Sequence, residues 1–489
     1  MKNTTLFFPG FHLQTLRRTP ISASQKLAAK VQDIRNKTIS QLDDCFGSFI
    51  PHRELNHTSS GSFSRHRLFS KANTFWGFFS QILDSDSSCQ AVVRRFQAFA
   101  ATKGITAPSS STAGYCNARR KLNQTCLDNI LKNTSHELQQ HVHADRWKGH
   151  RVVVVDGTGL SMPDTQANQQ AWPQPRNQKP GCGFPQLCLC ACFCLQTGGL
   201  LSYRIGSRKS HELPLLRQQL ETFKPGDIFL GDKGFCNYFD ISNFSDRGVD
   251  SVVTLARRKP VKRSESIKVL GDNDLLIRWT KPLWQKASSY AKEEWLALPD
   301  QITLRQIKVT VSTPGFRVKE FYIITTLTDE AQYSVEDLAE LYYQRWDVEL
   351  FFRDIKTTLG MDILRCKSPA MVQKEIVMHF IVYNCIRRLM LDAAYQQDVQ
   401  PRKISVKGCI QALIQWQPLL NKAELKASER KQLMILLYEA IAGSTLCERP
   451  GRREPRCVKR RPKPFQLMTE PRNVMRETPH RGKRGAKQA

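Results

Sequence analysis

The chain has 489 residues, 40% hydrophobic and 9% aromatic, enough apolar material for roughly two to four domains with full cores and too much for a disordered chain carrying a motif. Against 44 Asp and Glu stand 73 Lys and Arg, a net charge of +29, and such a field draws in polyanions, so nucleic acid is the expected partner. Residues 447–489 hold 14 basic and 4 acidic residues, so the tail supplies +10 and the body keeps +19.

Fifteen cysteines in a chain of this size do not make a disulfide scaffold, and the early LFFPGF run is too short for a signal peptide and is broken by Pro9. A reducing cytoplasm with free thiols is expected. The longest apolar candidate, Ile376 to Leu391, is interrupted by His379, Asn384, Arg387 and Arg388, so no membrane span and no membrane partner is expected. No internal repeat at a fixed period is visible.

Residues 1–145 read as a helical region, with apolar residues at mixed three and four spacings from Phe75 to Gly104 and basic residues along one side of Ser109 to Asn133. This suits DNA binding; a packing domain with a solvated basic face has the same pattern. From Arg151 the character turns to strands. RVVVVDGTG is a β-branched run closed by glycines, Leu187 to Gln196 alternates strictly, GGLLSYRIG follows a Gly198-Gly199 turn, and helical Glu212 to Phe223 leads to PGDIFLGDKGF and SVVTLA. These predict a mixed α/β sheet over 146–256 with carboxylates at its strand ends.

Residues 257–332 read as a β-rich insertion, clearest in ITLRQIKVTV and EFYIITTLTD. One long helix is predicted from an N-cap at Ser334, with Asp337 at its third position, to a C-cap at Gly360, about 25 residues or roughly 37 Å; it dominates segment 333–365. Apolar helices fill 366–446, and the Pro/Arg-rich 447–489 is expected to be a disordered, DNA-attracting arm.

On that helix, at ~100° per residue, Tyr342, Arg345, Glu349 and Lys356 fall within a sector of roughly 60°. The row borders the apolar stripe of Leu341, Val348, Phe351, Phe352, Ile355 and Leu359, where a cleft wall would lie. Arg345 with Glu349 is also an ordinary i,i+4 pair worth ~0.2 to 0.5 kcal/mol. What raises the row above that reading is Asp156 and Asp232, each directly after a buried β-run. Two strand-end aspartates and a helix glutamate give oxygen donors for Mg²⁺, which in pairs clamps an in-line phosphoryl displacement. Metal-dependent phosphodiester chemistry is the predicted reaction class.

The spacing Tyr342-x2-Arg345-x3-Glu349-x6-Lys356 resembles the Y-x2-R-x3-E-x6-K signature of bacterial DDE transposases of the insertion-sequence-four family. DGTGLSMPDT from Asp156, PGCGFP from Pro180, GDKGF from Gly231 and the blocks ELYYQRW and FRDIKTTLGMDILRCKSP are similar to that family's over roughly residues 75–445. The resemblance implies a ribonuclease-H-like catalytic core interrupted by the β-rich insertion and flanked by helical regions. It implies a catalytic, metal-binding triad of Asp156, Asp232 and Glu349 with two Mg²⁺ ions, Mn²⁺ able to substitute, and DNA contacts from Tyr342, Arg345 and Lys356. It further implies a homodimer on paired element ends and target DNA in a bacterial, nucleoid-associated setting. Trp279, Trp284 and Trp295 are the insertion's candidates to stack a flipped base. A retired DNA-binding descendant, or a nuclease that cuts without joining, are the alternatives. Lys233 is a mild departure, and residues 1–70 match nothing specific.

Other signals are weaker. Cys188, Cys190, Cys192 and Cys194 share one strand face, the first and last ~20 Å apart, too far for one tetrahedral zinc, so they read as small core hydrophobes. His211 reads as a helix-start residue, and Asp164 and Glu212 are rival carboxylates for the metal site. No phosphate-binding or dinucleotide glycine motif is present, so no nucleotide cofactor is expected.

Overall fold

The computed structural model describes residues 49–56, 58–64, 68–84, 87–102, 107–140, 146–208, 210–255, 259–285, 290–311, 319–420, 425–446, 468–471 and 474. Residues 1–48 and most of the tail, with the disorder expected there, lie outside the described residues.

Among the described residues a one-turn helix at His52–Leu55 comes first, followed by four longer ones: α1 (Lys71–Leu83), α2 (Cys89–Thr102), α3 (Ala113–Lys121) and α4 (Gln124–Gln140). The Ser70 hydroxyl caps α1 by accepting from the Asn73 N–H, and Phe75, Phe78 and Phe79 bury completely beneath it. Of the basic residues on α3, Arg119 turns inward, donating to Gln81 Oε1 at 3.0 Å, while Arg120 and Lys121 stay in solvent.

β1 (Val152–Ser161) is the centre of the molecule. Its β-branched valines bury on both faces, Val152 and Val154 in one core and Val153 and Val155 in the other, the two-sided burial that selects a continuous apolar run. α5 (Gln166–Ala171) comes next, then the antiparallel pair β2 (Gln186–Cys194) and β3 (Leu200–Ser207), α6 (Glu212–Arg217), β4 (Ile228–Leu230), α7 (Tyr238–Asp246) and β5 (Asp250–Thr254). The order β3-β2-β1-β4-β5, with β2 antiparallel and β4 parallel to β1, is the expected ribonuclease-H-like sheet. Cys190 and Cys192 pack with Val153 and Val155 under α6 and α7, while Leu189, Ala191 and Phe193 face the other core. The cysteine alternation is core packing.

The β-rich stretch after residue 257 continues the same sheet. β6 (Lys268–Gly271), β7 (Asp274–Thr280), β8 (Gln301–Val311) and β9 (Lys319–Thr325) form a meander, with α8 (Lys292–Ala297) before β8, and β9 pairs antiparallel with β5, extending the sheet to nine strands. Buried Arg305 on β8 ties this meander to the segment before the next helix, gripping Asp274 and donating to the Tyr333 carbonyl at 2.6 Å.

The single long helix predicted from Ser334 is not one helix. The Ser334/Asp337 capping box starts α9 (Val335–Gln344), the chain loosens through Arg345 and Trp346, α10 (Asp347–Arg353) continues it, and Asp354–Thr358 is a π-turn ending before Gly360. Tertiary contacts explain the break: Arg402 donates to Gln344 at 2.9 Å and Asp347 at 3.0 Å, across it. Helices α11 (Pro369–Gln396), α12 (Val406–Leu420) and α13 (Ala427–Gly443) complete the fold. α11 is buried along most of its length, against α1 and α4, so its apolar run serves the core. Among the described residues no helix is long and apolar enough to cross a membrane.

Candidate active site

Alternation along β1 decides which groups can meet. Asp156 shares the parity of Val152 and Val154 and therefore faces the core covered by α9 to α11, whereas Gly157 faces α6. Asp156 Oδ1 accepts from the Gly157 N–H at 2.8 Å. Asp232 sits just beyond β4, the parallel neighbour of β1, and its Oδ1 accepts from the Gly234 N–H at 2.7 Å. Both aspartates are thus fixed by backbone, each two residues past the last β1–β4 pair, Val154 with Leu230; Asp232 stands beyond its strand as expected, whereas Asp156 lies within β1, which runs on to Ser161 because its pairing with β2 continues.

Burial, followed by the charges of Glu212 and Asp232, pushes the Asp156 carboxyl up to about 6, with the Gly157 N–H and Arg345 opposing. Burial and Asp232 also raise Glu212. Crowded carboxylates with hard oxygen donors are what a divalent cation relieves, so the residues present fit one.

The helix row divides. The buried Tyr342 hydroxyl is hydrogen-bonded to Thr254 Oγ1 on β5 at 2.9 Å. Arg345 is 9% exposed, its guanidinium over the rings of Tyr342 and Trp346, and its Nε has no hydrogen-bond partner among the described residues. Lys356, on the π-turn, donates to Thr158 Oγ1 at 2.9 Å and to the Gly159 carbonyl at 3.3 Å. Arg345, whose charge acts on Asp156, and Lys356, bonded at Thr158 and Gly159, thus both stand by the second half of β1. Glu349 lies on the first turn of α10, exposed to solvent. Among the described residues no three of His, Cys, Asp and Glu stand close enough to hold one metal ion; Asp156 and Asp232 are near enough for the charge of one to act on the other.

Residues 147–385 match the family profile described as "Transposase DDE domain". Over 455 residues, 90% of this chain and 96% of the relative, the sequence is 24% identical to the transposase InsG for insertion sequence element IS4 of Escherichia coli K12. The chain is a transposase with a DDE domain, similar over most of its length to one of the insertion-sequence-four family. The transposase is also 33% identical, over 82 residues covering 16% of it and 21% of the relative, to the Escherichia coli transposase for insertion sequence element IS421. A solved piggyBac transposase synaptic complex with hairpin DNA overlaps 85% of this chain and 84% of that one at 10% identity and a TM-score of 0.40, too loose to bear on side chains. The matched segment opens just before β1 and closes inside α11, so it contains every residue of the site.

DDE transposases cut and join DNA using divalent metal ions. Of the rival carboxylates, Asp164 is turned away, accepting from Gln169 at 2.8 Å, whereas Glu212 lies against Gly157 and its charge acts on Asp156. His211 is the N-cap of α6 and makes no side-chain cap bond. A cavity of about 800 Å³ opens beside Glu212 and Gly234 and is lined by Trp279, Tyr290 and Trp295; Trp284 lies outside its lining, near Lys292.

Proposed function

We propose that the transposase uses Mg²⁺ to cleave at the terminal inverted repeats of its own insertion sequence and to join the freed ends to target DNA, acting as a homodimer on paired ends. Asp156 on β1 and Asp232 beyond β4, each two residues past the last pair that joins those neighbouring strands, with two cationic side chains on the Asp156 face of β1, are the observation that carries this reading. Asp156, Asp232 and Glu349 would hold the metal ions, which when bound would supply the Lewis acidity for phosphodiester cleavage and joining. Glu349, exposed at the rim, completes the set from the helix side.

The chain's own cations do the rest. The unpartnered Nε of Arg345 donates to a phosphate oxygen, and Lys356 exchanges its neutral acceptors Thr158 and Gly159 for another phosphate; both neutralise charge beside the metal ligands. Tyr342 acts in the same row by holding α9 to β5 through Thr254. The cavity beside Glu212 and Gly234 would take an unstacked terminal base, at a cost of a few kcal/mol for unstacking, with Trp279 and Trp295, both largely buried, in its wall. In the N-terminal region, residues 1–145, the exposed Arg120 and Lys121 of α3 extend the DNA contact.

The test uses the full chain and a DNA fragment carrying the element ends. Asp156→Asn, Asp232→Asn and Glu349→Gln should each abolish Mg²⁺-dependent cleavage and keep DNA binding in a mobility-shift assay. Cleavage retained by any of them removes that residue from the triad. Joined products in a target plasmid separate this reading from that of a nuclease that only cuts.

A further inference from the structure

Glu212 is the carboxylate the fold brings to Asp156 from the opposite face of the sheet. It starts α6, which cannot shift easily. Leu215 and Leu216 sit in the core with Cys190 and Cys192, and Arg217 grips Asp240 of α7 through two bonds of 2.7 and 2.9 Å. The Glu212 side chain lies flat on Gly157: a Cβ there would stand 2.0 Å from Glu212 Oε1 and 2.3 Å from its carboxyl carbon. Gly157 has ordinary extended conformation within β1, so backbone strain does not call for glycine; Glu212 does. Among the described residues the carboxylate has no ion-pair partner, yet its charge reaches both Asp156 and Asp232.

We propose that Glu212 is a further carboxylate of the metal site, reaching the cation held by Asp156 and Asp232 through a bound water at the gap left in the sheet face at Gly157. The inference rests on the proposed metal role of Asp156 and Asp232. It makes the α6 face, which carries none of the triad, part of the machinery. Groups that support metal ligands typically matter by about 10- to 100-fold in affinity.

The test is Mn²⁺ binding to the full chain without DNA, followed by electron paramagnetic resonance of the free ion. Glu212→Gln, nearly isosteric and half-exposed, should weaken Mn²⁺ by about tenfold or more. Asp164→Asn, whose carboxylate points elsewhere, should leave it unchanged. Gly157→Ala should weaken it likewise by displacing Glu212, and adding Gly157→Ala to Glu212→Gln should cost little more. Wild-type affinity in Glu212→Gln, beside a loss in Asp156→Asn, overturns the Glu212 assignment alone. If Asp156→Asn also binds Mn²⁺ like wild type, the underlying metal-site reading falls with it.

Discussion

Asp156 is where burial and like charge act on one group, and this has a sign that can be checked. Its carboxyl stands near 6 against an ordinary 3.8, so between those values the metal-free native chain holds a proton that the unfolded chain has released. Stability of the metal-free chain therefore falls as pH rises through that window and levels off above it. Asp156→Asn cannot ionise, and urea unfolding at pH 7.5 without metal should show it more stable than wild type by on the order of 2 kcal/mol, the advantage vanishing near pH 4. Metal competes with that proton, so wild-type Mn²⁺ affinity should climb as pH rises through about 6. A flat profile for both would mean that Asp156 is not crowded by its neighbours. Lys356 carries a different prediction. Lys356→Ala should weaken DNA binding nearly uniformly across sequences and lower the slope of log affinity against log salt by about one.

At the scale of elements, the break between α9 and α10 and the π-turn after α10 place the helix row. Asp354, on the π-turn, is buried and bonded to Arg387 of α11 at 3.4 Å. Arg387 also donates to the Tyr383 hydroxyl at 2.9 Å, and that hydroxyl donates to the Gly198 carbonyl at 2.7 Å. Gly198 sits at φ +65° with the Arg387 guanidinium 2.9 Å from where a Cβ would be, so both conformation and space demand glycine there. Arg387→Leu leaves Asp354 buried without this partner and should destabilise the fold by about 3 kcal/mol or more in urea unfolding, with Asp354→Asn in the same chain recovering part of it. No recovery would show that the loss is one of packing. Periodicity predicted one helix because the polar row is in register at ~100° per residue; the Arg402 bridge across the break and the Asp354 pair are contacts with distant segments, invisible to a pattern confined to twenty residues.

On the scale of the whole molecule, charge sets the encounter with DNA and the sheet sets the chemistry. Removing residues 447–489 lowers the net charge from +29 to +19. That truncation should weaken binding to random duplex more than to element ends, and fluorescence anisotropy across a salt series will show it. If the proposed interface contacts six to ten phosphates, affinity should drop by roughly 10³ to 10⁵ between 50 and 200 mM salt.

Local chemistry alone determined a good deal. The valine run of β1 had to be a strand buried on both faces, the alternating cysteines had to lie on one side of β2, and Asp232 had to stand at a strand end, because period-two alternation and turn residues act over a few neighbours; Asp156, expected at a strand end, lies inside β1 because pairing with β2 carries the strand on to Ser161. The Y-x2-R-x3-E-x6-K spacing pointed to the DDE transposases for the same reason. Only tertiary structure decided that Tyr342 spends its hydroxyl on Thr254, that Glu349 stands at the rim, and that the insertion's strands continue the core sheet. It also decided that Glu212 fills the space above Gly157. Each of these depends on which distant segment occupies a given volume, and side-chain periodicity holds no information about that.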